Sequence, residues 1–185
     1  MARGGRAARR AATRAGAGIV HDLAQPLLRE ADDVVRRAMR GTSWGGRGRA
    51  IPQGFTQRQI SDFAQGARRL RRRAGLPDGD LVIHGSRVRG AARATSDIDV
   101  ALRVSDREFF DLAERSLARA HPGTRLRESM LRRINRNGQL SSFDLGPEFQ
   151  RLRRELLDSQ SPVRVQFSVL RRGGRLDTGP FTALD

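Results

Sequence analysis

Two aspartates, Asp97 and Asp99, flank Ile98 in the run SDIDVALRV, where Ile98, Val100, Leu102 and Val104 recur at every second position. That alternation predicts a strand with one apolar face, which places both carboxylates on the other. Two strand rises put their Cα atoms about 6–7 Å apart, so the carboxylates can converge on one or two divalent cations. Two such acids repel unless a cation or arginines neutralise them. Upstream, the apolar run Leu81 to His84 ends in Gly85 and Ser86. A glycine lets a polyphosphate approach the backbone, and a serine offers it a hydroxyl. A short helix starting near Arg87 would add free N–H groups to that anion site. Gly-Ser alone is a weak signal; joined to an apolar strand before it and an Asp-Ile-Asp strand after it, the signal is specific.

Other candidate groups carry less. His84 reads as a half-buried strand residue, and Ser86, His84 and Asp97 lack the sharp-turn context of a nucleophilic triad. His21 and His121 have no metal-ligand spacing. Phe143, Phe149 and Phe167 are assigned to the core. Trp44, in a Gly-rich loop, is the aromatic suited to stacking on a base.

These groups must be positioned by a small set of elements. Residues 1–16 contain only Ala, Gly, Arg, Thr and the initial Met, and read as a basic flexible arm. Residues 17–78 read as a helical N-terminal region, with one broken helix or two short ones around Pro26, a Gly-rich loop over 41–54, and a helix from the N-cap Thr56 to about Ala74. The core is expected over 79–185. It holds strands Leu81 to His84 and Asp97 to Val104, a helix opened by a Ser105/Glu108 capping box, helical character over Leu126 to Ile134, a helix from Pro147 to Leu157, and a strand from Val163 to Leu170. The fold class predicted is α+β.

The chain has 185 residues, 36 basic and 20 acidic, for a formal charge of +16, and it contains no cysteine. Disulfides, thiolate metal sites and cysteine nucleophiles are therefore excluded, and any metal must sit on oxygen. No apolar run is long enough for a membrane span, and the opening lacks the apolar stretch of a signal peptide. Every basic residue is arginine, a side chain whose planar fork suits phosphate. Clusters at Arg71, Arg72 and Arg73 and at Arg132 and Arg133 are candidate RNA contacts.

The run Gly85-Ser86-Arg87-Val88-Arg89-Gly90, with Arg93 and Ser96-Asp97-Ile98-Asp99, resembles the signature of the DNA polymerase β-like nucleotidyltransferases, closest to their minimal branch. The resemblance implies a mixed sheet flanked by helices. It implies a nucleoside triphosphate (NTP) held by Gly85 and Ser86, with Arg87, Arg89 and Ser96 beside it, and Mg2+ or Mn2+ held by Asp97 and Asp99. The expected reaction moves a nucleoside monophosphate to an acceptor hydroxyl and releases pyrophosphate. The family's third carboxylate falls on a later strand, where VRVQFSVL offers Gln166 instead; Asp144 and Asp177 are the acids that could be borrowed. The segments SSFDLGPEFQ and PVRVQFSVLRRGGRLDTGPFTAL also resemble toxin domains at the tips of large bacterial polymorphic secreted proteins. That likeness implies delivery by a larger carrier, action in the target-cell cytoplasm, RNA (the 3′ end of tRNA first) as acceptor, and an acidic immunity protein as a partner. A degenerate RNA- or partner-binding module and a protein-nucleotidylating enzyme remain open as alternatives.

Overall fold

The computed structural model describes residues 51–185. The expectations for the basic arm, the first helices, His21 and Trp44 lie outside the described residues. Helix α1 (Gln57–Arg73) starts where a reciprocal cap forms: Thr56 Oγ1 accepts from the Gln59 N–H at 3.2 Å, and Gln59 Oε1 accepts from the Thr56 N–H at 2.8 Å. Strands β1 (Asp80–His84) and β2 (Ile98–Val104) follow, then α2 (Asp106–Ala118), α3 (Arg125–Asn137), β3 (Gln139–Ser141), α4 (Pro147–Leu156), β4 (Val165–Arg171) and the short β5 (Thr182–Ala183). The predicted Ser105/Glu108 box caps α2, and Pro147 stands in the first turn of α4.

The five strands form one mixed sheet in the order β3-β4-β2-β1-β5, the α+β arrangement expected. The central strand β2 is antiparallel to β1 and parallel to β4. Two elements were not legible in advance. Strand β3 is three residues long, and its partner is remote β4. Strand β5 is two residues long and pairs with β1. Neither is long enough to show a period of its own. Strand β4 starts at Val165 rather than Val163, because the Ser161 hydroxyl is engaged with the Val163 backbone in a local turn.

Side chains on one sheet face, among them Leu81, Ile83, Val100, Leu102, Phe167 and Val169, join apolar residues of all four helices in a single core. Ile60, Phe63, Ala67 and Leu70 of α1 belong to that core, so packing is continuous across the expected seam at 78/79. The approach of α1 to α4 explains why: a Cβ on Gly66 would lie 2.3 Å from the Leu156 carbonyl oxygen, so only glycine lets the two helices meet. On the other sheet face, Val82, Ala101 and Leu170 make a small cluster with Phe181.

Candidate active site

The strand registers set a row of polar side chains across the less covered face. Asp99 of β2 is paired with His84 of β1 on one side and with Gln166 of β4 on the other, neighbours about 5 Å apart at Cα. Val165 and Phe167 point into the core, leaving Gln166 exposed between them. Asp97 stands just before β2, and the Gln166 side-chain amide donates to its Oδ2. The structure thus brings together Asp97, Asp99 and Gln166, as the spacing and the parallel pairing require.

Gly85 closes this row. Its φ of +81° is left-handed, and a Cβ built on it would lie 2.2 Å from Asp99 Oδ2. Any other residue would displace the carboxylate or the loop. Asp99 has its carboxyl pushed up, by burial first and by the like charge of Asp97; His84, Arg89 and Arg87 act in the opposite direction. His84 is pushed down, chiefly by burial and further by Arg89, against the pull of Asp99 and Asp177. Its ring lies 6.3 Å from that of Phe181.

The loop after β1 differs from expectation. Residues 87–90 form a hydrogen-bonded turn and not a helix; the Arg89 N–H reaches Gly85 O at 3.3 Å and the Ala91 N–H reaches Ser86 O at 2.9 Å. Gly90, at a left-handed φ of +72°, turns the chain out of a helical path. Arg87 is 5% exposed. It donates to Asp97 O at 3.2 Å, Gln53 O at 2.8 Å and Ser96 O at 2.5 Å, with its guanidinium 5.5 Å from the Phe55 ring centroid. Arg87 therefore clamps the loop to the start of β2, which is a positioning task rather than a phosphate contact. The Ser96 hydroxyl is likewise engaged in the loop, accepting from the Arg93 N–H at 2.9 Å. Arg89 is exposed on this loop, near enough for its charge to act on His84 and Asp99.

Neither Asp144 nor Asp177 can be borrowed as a third carboxylate. Asp144, its side chain 0% exposed, accepts from Arg133 at 2.5 and 3.2 Å and from the Ser141 N–H and hydroxyl, each at 2.8 Å. Asp177 is held by Arg103 at 2.5 and 2.9 Å and by the Gly173 N–H at 2.9 Å. The same pairing withdraws Arg133 from the expected RNA contacts. Of the others, Arg71 donates to Gly79 O, Arg73 pairs with Glu155, Arg132 lies 4.0 Å from Glu128, and Arg72 is exposed. The two clusters are thus partly consumed in internal ion pairs.

Beside Gln166 a groove of about 190 Å³ runs from His84 and Asp99 over β4 to the end of β3. Its rim carries Phe143, which is 73% exposed and so does not fill the core as expected, whereas Phe149 and Phe167 do, at 4% and 3%. Sequence reasoning missed this groove because Ser141 and Ser168 meet only through the β3–β4 pairing. A local signal existed in SSFD, an Asp three residues after a Ser, a turn-forming spacing. Gln53 was also missed; its carbonyl takes Arg87 and its side-chain oxygen takes the Ala92 N–H at 2.9 Å.

Among the described residues no group of three or more His, Asp or Glu could hold a metal ion, and no helix among them is long and apolar enough to cross a membrane. Searches of curated proteins and of solved structures return no match. The family comparison does: residues 64–165, more than half of the chain, match the nucleotidyltransferase domain, over a span from within α1 to the first residue of β4. With Gly85 packed on Asp99 and the aspartates at the head of β2, the chain belongs to the nucleotidyltransferase domain family.

Proposed function

We propose that the protein transfers a nucleoside monophosphate from an NTP to a hydroxyl of RNA, the 3′ end of tRNA being the first acceptor to test. The observation that carries the reading is the contact of Gly85 with Asp99, which puts a phosphate-approachable backbone against the carboxylate pair. Nucleotidyltransferases generally use an NTP and a divalent metal. The donor set fits one such cation: the Asp97 and Asp99 carboxylates are hard oxygen donors, with Asp97 held by the Gln166 amide N–H, at a place where burial and like charge already raise the proton affinity of Asp99. Asp97 and Asp99 would hold it, and when bound it would neutralise triphosphate charge. The residues themselves divide the remaining work. Gly85 and Ser86 cradle phosphate, Arg87 and Gln53 hold that loop in place, Gln166 orients Asp97, and exposed Arg89 adds positive charge toward the leaving pyrophosphate.

The charge of +16 exceeds what a triphosphate needs, which favours a polyanionic acceptor. The likeness of the C-terminal third to secreted toxin tips supports delivery by a larger bacterial protein into the target-cell cytoplasm, with an acidic immunity protein as partner. Incubation with each α-labelled NTP, Mg2+ and cell extract tests the reading: label in RNA is expected. Label in protein would replace RNA by a protein acceptor. A second reading, a degenerate binding module, is favoured by Gln166 in the third-ligand position and by the locked Asp144 and Asp177. Absence of label from every fraction, with RNA binding retained, would establish it.

A further inference from the structure

We infer that the groove between Gln166 and β3 receives the terminal nucleobase of the acceptor strand, stacked on Phe143, an inference that rests on the transfer-to-RNA reading above. Phe143 is a large exposed aromatic, and its exposure is not slack. The turn that carries it is closed by the Asp144 N–H on Ser141 O at 3.0 Å and by the Gly146 N–H on Phe143 O at 3.3 Å. Beneath it, the buried Asp144 carboxylate is bound by Arg133 and Ser141. An aromatic ring held out in water on a hydrogen-bonded turn beside a cleft is a stacking platform, tolerant of any base with a π-face.

The chemistry places the acceptor on this side. In nucleotidyl transfer the acceptor oxygen bonds to the α-phosphorus while the bond from that phosphorus to the bridging oxygen breaks. The electron pair leaves with pyrophosphate, and the hydroxyl proton passes to water. Attacking and leaving oxygens lie roughly in line. The leaving group belongs at Gly85 and Ser86, at the end of β1. The groove starts at His84 and Asp99, and the sheet order β1-β2-β4-β3 puts its β4–β3 portion on the far side of Asp99 from that loop. Its walls suit a nucleotide: the hydroxyls of Ser142 and Ser168 can bond ribose or base edges, and exposed Arg164 can meet a backbone phosphate.

The test titrates the full chain with two 5′-fluorescein-labelled single-stranded RNAs, alike except that one ends in an abasic ribose, and follows label transfer to each. The parent is expected to bind the base-bearing end at least about five-fold tighter. Phe143→Ala should erase that preference with unchanged thermal melting, and Phe143→Trp should restore it. Arg164→Gln should leave the preference and reduce the log-affinity slope against log salt by about 0.7. Equal binding of both RNAs by the parent, or a preference that survives Phe143→Ala, overturns the subsite. If both RNAs also accept label equally, transfer to RNA stands without the subsite. If the ends are discriminated yet no label moves, the subsite stands and the transfer reading falls. If neither RNA binds, both fall.

Discussion

Strand β2 presents two faces with opposite contents, although both arise from the same seven residues. Ile98, Val100, Leu102 and Val104 are all fully buried against the helices, whereas Asp99 and Arg103 share the opposite face with Ala101. Its neighbours repeat the division. Ile83 and Phe167 point into the core, while His84 and Gln166 flank Asp99. The covered face provides stability through burial, about 1.5–3 kcal/mol for each large apolar side chain. The open face exposes polar groups that repel or lose water, and its far end is closed by Arg103 on Asp177, with the Arg103 guanidinium 4.4 Å from the Phe181 ring centroid. A strand of period two can therefore hold reactive groups rigidly while burying them only in part, because the rigidity comes from the other side.

This division can be broken by substitutions on each side. The largest effect is expected from Asp97→Asn or Asp99→Asn, which should lower transfer by about a hundred-fold or more. Melting should stay the same or rise, since one of two like charges is removed. On the covered face Leu102→Ala should do the reverse, costing about 2–5 kcal/mol of stability, read by denaturant titration. Retained transfer in either aspartate variant would remove the pair from the reaction.

Gly85→Ala sits at the junction of the two faces. Left-handed backbone and the clash with Asp99 should cost about 1–3 kcal/mol and reduce transfer more than stability alone accounts for. Arg87→Met tests the clamp: leaving three backbone carbonyls without their donor should lower the melting temperature and raise KM for the triphosphate together. A fall in transfer with unchanged melting would instead make Arg87 a phosphate ligand. The smallest effect is expected at Gln166. Gln166→Ala should lower the rate by about ten-fold, as for groups that orient a ligand, and Gln166→Asp should raise metal-dependent transfer. No change in either variant would separate Gln166 from the site.

Much of the architecture was legible because its signals are local. The N-cap at Thr56, the capping box at Ser105, a proline at a helix start, and the alternation Ile98-Val100-Leu102-Val104 each state their structure within a few residues. The same alternation made Asp97 and Asp99 readable as a pair, whereas Gly85, read as room for a phosphate, is also required by the Asp99 carboxylate packed against it. By itself, then, the sequence determined the α+β class and the strand at whose head the two acids stand. Tertiary structure alone decided which groups were left for chemistry. Asp144, Asp177 and Arg133 look available in sequence, yet each is consumed by a partner supplied from elsewhere in the chain, at separations no periodicity encodes. Arg87 turned from a phosphate ligand into a clamp because the Gln53, Ser96 and Asp97 carbonyls converge on it. Phe143 turned from core to groove rim because Asp144, buried on Arg133 of α3, pins its turn outward. The physical reason is common to all: a charged or aromatic side chain takes its role from what satisfies or covers it, and that is settled by contacts between residues distant in sequence.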